Sequence, residues 1–257
     1  MDIVHAVILG AVEGITEFLP ISSTGHLILT SHFLKITQTE FAKSFEIIIQ
    51  LGAILAIITL YWRSLFVQRS NWPKLFLAFA PTALVGFTLY PFIKDILLSS
   101  PNVTLVSLFV GGIVLIIIEK THKERDFHTD SISHITNRQA VLIGMYQSIS
   151  VIPGVSRAGA TIIGGMLTGA KRKVAVEFSF LLAVPTILAA TLLDLSHSYQ
   201  TFSVQDLHLL LVGFCSSFVV AFFTVKFFVT YITKNNFILF GVYRIFIAIF
   251  YWIFLLR

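Results

Sequence analysis

The sequence predicts an all-α integral membrane protein, and three observations carry that expectation. Of its 257 residues, 56% are hydrophobic and only 12% charged, against roughly a quarter charged in soluble domains. Apolar runs at 46–62, 103–118, 178–193, 209–229 and 237–256 each approach the length needed to cross a bilayer. Their hydrophobic pattern is helical or unbroken, not the alternation of a membrane barrel. A sixth run, 75–93, contains Pro81 and Pro91. About six full transmembrane helices are therefore expected, in one membrane domain.

The N-terminus, MDIVHAVILGAVEG, lacks a basic n-region and reaches Glu13 where a cleavage motif would stand, so no cleavable signal is expected. Cys215 is the one cysteine and is expected to be a small packing residue. The formal net charge of +5 lies mostly in loops. In a membrane chain that reports orientation, and nucleic acid is not an expected partner. Segment 62–74 holds Arg63, Arg69 and Lys74, whereas 194–208 holds no Lys or Arg and 90–102 only Lys94. The positive-inside rule places 62–74, 119–138 and the Lys171-Arg172-Lys173 stretch in the cytoplasm, and 194–208 outside. Threading the spans through that assignment leaves 1–45 and 139–170 beginning and ending on one face each, as dips or helical hairpins entering from opposite sides, with a full crossing pair the alternative for 1–45.

These two segments resemble each other. Residues 6–27 read AVILGAVEGITEFLPISSTGHL and residues 140–163 read AVLIGMYQSISVIPGVSRAGATII. Each places a glycine (Gly10, Gly144) before a polar side chain (Glu13, Gln147), breaks at proline (Pro20, Pro153) and restarts at serine (Ser22 and Ser23; Ser156). Similarity with opposite orientation is the mark of an inverted-topology repeat with its site at the interface. Residues 1–118 and 139–257 are the expected repeats, joined by a cytoplasmic linker, 119–138.

Broken helices at membrane depth are tolerated only where they line protein or a wet cavity. Helices restarting after Pro20 and after Pro153-Gly154 would aim free N–H groups into that cavity, which suits an anion. Arg157 needs an anionic partner there, and its fork fits phosphate; a structural ion pair with Glu13 or Glu17 is the plainer reading. Glu13 and Glu17, at i and i+4, repel each other unless a proton or a hard cation sits between them and a phosphate. His26, one turn beyond Ser22 and Ser23, is a candidate nucleophile or acid–base, or a structural histidine. Ser22 and Ser23 are candidate caps, phosphate donors or nucleophile. Thr161 could donate to phosphate or back-bond to its own helix. No pair among the remaining histidines has metal-ligand spacing.

The stretches EGITEFLPISSTGHL and PGVSRAGAT resemble the two signature motifs of the undecaprenyl-diphosphate phosphatase family of the BacA type. The first matches at Glu13 and Glu17, the second at Pro153, Gly154, Ser156, Arg157 and Thr161. The chain departs at Ala158, where the family usually has serine, so no hydroxyl is available there. QLGAILA (50–56) and EFSFLLAVPTILAA (177–190) also look familial, which extends the resemblance over essentially the whole chain.

The resemblance implies hydrolysis of the terminal phosphate of a C55 isoprenoid diphosphate in the bacterial plasma (inner) membrane, from a site opening to the periplasmic or external face. It implies a role in peptidoglycan synthesis and bacitracin resistance, re-entrant hairpins and a divalent cation, Mg2+ or Ca2+. The expected site is then His26, Ser23, Glu17 and Arg157 for catalysis. Ser22, Ser23, Gly154, Ser156, Arg157 and Thr161 would bind phosphate, with metal at Glu13 and Glu17. The expected partners are the polyprenyl diphosphate and the bilayer, with a homodimer allowed. Broken helices in a repeat also suit a secondary transporter or lipid flippase. The nucleophile (Ser23, His26 or water) stays open.

Overall fold

A computed structural model describes residues 1–37, 39–89, 101–125, 128–198 and 204–255. These residues are helical, with an isolated bridge between Thr129 and Ala170 and no strand among them. Pro91, Lys94 and the centre of 194–208 lie outside the described residues.

Four helical stretches are long and apolar enough to cross a membrane. The first, Glu40–Leu60, is made of α3 (Glu40–Ile48) and α4 (Gln50–Leu60), which meet at Ile49. The others are α6 (Pro101–Thr121), α9 (Arg172–Ser198) and α10 (Val204–Ile232). Shorter apolar helices are α1 (Ile3–Thr16), α5 (Trp72–Thr88) and α11 (Ile238–Leu255). The helices outrun the apolar runs that announced them. α3 starts at Glu40 rather than 46, with the Thr39 hydroxyl accepting from Ala42 N–H at 3.2 Å. Backbone hydrogen bonding continues through polar interfacial residues, whereas hydropathy stops at them.

The remaining helices are short: α2 (Ser23–Phe33), α7 (Asn137–Ser148) and α8 (Arg157–Leu167). With α1 they form two pairs, α1–α2 and α7–α8, each joined by a break at the expected proline. The 14 residues of α1 span only about 21 Å, short of a hydrocarbon core about 30 Å thick. The other three are shorter still.

Close contacts position these pairs. α1 lies against α10, where Gly10 and Gly14 face Gly213, Ser217 and Ala221. α7 lies against α5, where Gly144 faces the Ala78 backbone and Thr82 donates to Gly144 O at 3.3 Å. Apolar surface gives no drive for helices to associate in lipid, so small residues that admit close backbones take its place. Cys215 departs from expectation: it is exposed, because α10 turns Gly213, Ser217 and Ala221 inward and Cys215 to the opposite side. Phe18, Phe180 and Phe228 lie in the main core, with Phe18 edge-on to Phe180 at 5.4 Å. Large apolar side chains such as Phe87, Leu211 and Trp252 are exposed around it, as a lipid-facing belt requires.

The basic segments gather at one end. Lys74 donates to Ser133 O at 2.5 Å. Arg172 pairs with Glu119 and, at 3.5 Å, Glu124, and Phe237 N–H reaches Glu119 at 3.3 Å. The ends of α6, α9 and α11 are tied there together.

The glycine contacts make a direct expectation. A Cβ at Gly10 would lie 2.8 Å from Ser216 Cβ and 3.1 Å from Gly213 C, whereas one at Gly86 would meet nothing within 4 Å. Gly10→Val is expected to cost about 1–3 kcal/mol by overpacking, lowering the thermal midpoint in detergent by several degrees. Gly86→Val should leave it unchanged, and equal midpoints for the two would refute the α1–α10 contact.

Candidate active site

The two breaks are built alike. After α1, Glu17 still donates its N–H to Glu13 O at 2.9 Å; the chain then turns through Phe18–Ile21 and enters α2 at Ser22, whose φ is 72° and ψ 97°. After α7, a short 3-10 turn (Ile149–Val151) leads through Pro153 and Gly154 into α8 at Ser156, whose φ is 71° and ψ 111°. Positive φ at a residue with a Cβ is strained, on the order of 1–3 kcal/mol, and concentrates at functional sites. Gly154 has φ +89°, and a Cβ on it would collide with the Thr104 backbone. Only glycine fits there.

Between the breaks lies a cavity of about 250 Å³. Glu17, Ser22, Ser23 and Thr24 line it from the first break, and Ser150, Gly154, Ser156 and Arg157 from the second. Gln50, Thr82 and Thr186 contribute polar groups from the long helices.

Arg157 and Glu17 join the two halves. Arg157 Nη2 donates to Glu17 Oε1 at 2.8 Å and Nη1 to Ser179 O at 3.0 Å. The other carboxylate oxygen, Oε2, accepts from Ser23 Oγ at 2.5 Å. One carboxylate thus bridges a guanidinium from the second break and a serine hydroxyl from the first. Arg157 Nε has no partner, and the guanidinium lies 5.8 Å from the centre of the Phe18 ring.

Glu13 is fully buried, and neither carboxylate oxygen has a hydrogen-bond partner. The charges that act on it are Glu17, Glu46 and Arg157. A carboxylate so placed needs a proton or a cation. Among the described residues no three His, Cys, Asp or Glu gather as a metal cage. Glu13 and Glu17 still fit a hard divalent ion of the kind that takes one or two carboxylates and completes its shell with phosphate oxygens and water.

Three expected site residues are not brought to the cavity wall: Glu13, buried behind it, His26 and Thr161. His26 Nδ1 lies 2.7 Å from Ser22 O and Nε2 lies 2.8 Å from the Tyr243 hydroxyl. A carbonyl only accepts, so Nδ1 carries the proton and, in the neutral ring, Nε2 accepts from Tyr243. Tyr243 also stacks on the imidazole at 5.5 Å. Both nitrogens are thereby engaged, and His26 does not line the cavity. Thr161 donates back to Arg157 O at 2.9 Å and lies 2.5 Å from Ser179 Oγ; it too is absent from the lining. Ser156 caps α8 by accepting from Gly159 N–H at 3.1 Å, whereas Ser22 makes no cap bond with its side chain.

Sequence reasoning overlooked Gln50, Thr82 and Thr186, which sit in apolar helices, and the pair Tyr243–Arg244. Arg244 carried a legible signal: it is the charged residue within the apolar run 237–256, and an ionisable group inside a span is a functional candidate by default.

Helix N-termini, serine hydroxyls and an arginine–carboxylate–serine chain around one cavity define an integral membrane protein built to take a phosphate-bearing ligand. The chain matches the bacitracin resistance protein BacA family over residues 6–250 and belongs to that family. It is 51% identical over 247 residues to the undecaprenyl-diphosphatase of Aquifex aeolicus (strain VF5), covering 96% of each chain. It is 48% identical over 249 residues to that of Wolinella succinogenes, covering 97% of this chain and 96% of the relative. With that of Persephonella marina it shares 47% identity over 256 residues and the full length of both.

The geometry of Thr161 sets a test. Thr161→Val keeps the shape and loses the bond to Ser179, so unfolding should become easier by about 1 kcal/mol. Thermal unfolding in detergent measures it, and an unchanged midpoint would mean that this hydroxyl is not held as described.

Proposed function

We propose that this membrane protein hydrolyses the terminal phosphoanhydride of undecaprenyl diphosphate, releasing inorganic phosphate and undecaprenyl phosphate and so returning the lipid carrier to cell-wall synthesis. Relatives of this name at 47–51% identity over nearly the whole chain support the substrate. The observation that carries the chemistry is the chain Ser23 Oγ–Glu17–Arg157 at the cavity wall.

Ser23 is the nucleophile in this reading. Its Oγ attacks the terminal phosphorus and its proton passes to Glu17 Oε2, the nearest acceptor. The bond from phosphorus to the bridging oxygen breaks, and undecaprenyl phosphate leaves with that electron pair. Glu17 hands that proton to the departing phosphate oxygen, then takes one from the water that cleaves the phosphoserine and returns it to Ser23 Oγ as inorganic phosphate leaves. Arg157 holds Glu17 in place and sets its positive charge beside the phosphoryl oxygens on which charge gathers. Ser22, Ser156, Gly154 and the first N–H groups of α2 and α8 bind the phosphates. His26 positions Ser22 through Nδ1–H, and Thr161 braces the Arg157–Ser179 contact. Glu13 and Glu17 would hold a Mg2+ or Ca2+ ion, which when bound neutralises phosphate charge.

The same reading covers topology. Equivalent pairings in the two halves (α1 on α10, α7 on α5) and similar backbone angles at Ser22 and Ser156 support an inverted repeat, 1–118 with 139–257 about the linker 119–138. On this view α1–α2 and α7–α8 are re-entrant hairpins, and α5 and α11 bring the full spans to six. The basic loops would lie on the cytoplasmic side of the inner membrane. Ala190, on the cavity wall, lies 18 residues along α9 from Arg172, about 27 Å from that end. This supports a site opening to the external face. So small a cavity accepts a diphosphate while the prenyl chain stays in lipid.

Paired breaks also suit a transporter, which would bind the lipid without releasing phosphate. Purified protein in detergent should release phosphate from undecaprenyl diphosphate. Ser23→Ala should lower kcat by at least about 10³-fold, and Arg157→Lys, which loses the fork, by about 10²–10³-fold. Acid quench should trap a phosphoserine, absent in Ser23→Ala and still formed in His26→Ala. A base-stable adduct on His26 would overturn the assignment of the nucleophile.

A further inference from the structure

Arg244 is one of the largest fully buried side chains, with 2% of its surface exposed. No carboxylate pairs with it among the described residues. All five of its N–H groups donate to backbone carbonyls instead. Nη1 reaches Pro20 O and Val155 O, each at 3.1 Å. Nη2 reaches Gly154 O at 2.9 Å and Ser107 O at 3.2 Å, and Nε reaches Leu108 O at 3.3 Å. Pro20 and Gly154 stand at matching places, each two residues before a strained serine, Ser22 or Ser156. A single guanidinium therefore grips both breaks at equivalent positions and anchors them to α6.

We infer that Arg244 is a positioning residue for the hydrolysis proposed above: it fixes the separation of Ser23 and Glu17 on one break from Ser156 and Arg157 on the other. The inference rests on that reading of the cavity. Arg244 does not line the cavity, so it acts through the backbone it holds. Carbonyls left unpaired at membrane depth would otherwise let each break relax toward unstrained angles. A planar fork with five donors can serve five carbonyls in three segments, whereas a lysine ammonium has three donors on a flexible stem. Gly111 backs the guanidinium from the other side: a Cβ there would lie 2.8 Å from Arg244 Cζ. Gly111→Ala consequently shifts the fork without removing its charge.

The test uses the full-length protein in detergent with undecaprenyl diphosphate. Phosphate release by the wild type comes first; its absence would sink the phosphatase reading itself. Given that activity, Arg244→Lys should lower kcat by about 10²-fold, as a displacement near 1 Å can, while KM stays within about threefold. Gly111→Ala should lower kcat in the same sense. In a double-mutant cycle, Arg244→Lys should add little to the loss already caused by Arg157→Lys, because both act on one alignment. Wild-type kcat in either folded variant, full additivity in the cycle, or a raised KM with kcat unchanged would each overturn the inference. Failure of both variants to fold would assign Arg244 to folding alone, and overturn it as well.

Discussion

A backbone that leaves its helix inside a hydrocarbon core gives up its own hydrogen-bond partners, and lipid offers none in return. The same cost falls on backbone buried among apolar side chains, as at the breaks near Pro20 and Pro153. The chain meets it with side-chain donors, near and distant. Arg244 on α11 takes carbonyls from both breaks and from α6. His26 takes the carbonyl of Ser22, and Arg157 takes that of Ser179 on α9. The breaks persist because these donors hold them, and their persistence leaves the N-termini of α2 and α8 facing one cavity.

Charge balance follows from the same arrangement. Arg157 and Glu17 form a partly buried pair, and removing either partner strands the other, which in general costs more than the pair itself contributes. Glu17 is shared, with one oxygen on Arg157 and the other on Ser23. Glu13, one turn back, has no partner, and Arg244 has only carbonyls. The centre therefore holds two arginines, one carboxylate shared between Arg157 and Ser23, and a buried acid at Glu13 without a hydrogen-bond partner. The apolar frame matters for the same reason, since electrostatic contacts strengthen as water is excluded.

Packing serves the site. Gly10 and Gly14 let α1 press on α10, and Gly144 lets α7 press on α5. Each contact seats the helix that delivers a polar residue to the centre, Glu13 from α1 and Gln147 from α7. Gln147 is fully buried and donates to Thr82 at 2.9 Å, so the second half resolves without charge what the first half leaves open at Glu13.

The sequence by itself determined the helical membrane class, the two proline breaks and the residues beside them. These properties are written in local runs: apolar length, proline position and the cost of a charge in lipid. It also placed Glu17, Ser23 and Arg157 near one centre, because two similar motifs could meet only at an interface. Tertiary structure alone decided which atoms face one another. His26 and Thr161 sit one turn from cavity residues, yet their polar atoms turn to Tyr243 and Ser179, partners 217 and 18 residues away in the chain. Arg244 was visible as a charge in an apolar run, but its partners are carbonyls of residues 20, 107, 108, 154 and 155. Carbonyls are common to every residue type, so no side-chain pattern could have named them. A local code records the cost of burying a group, and only the assembled helices show how that cost is met.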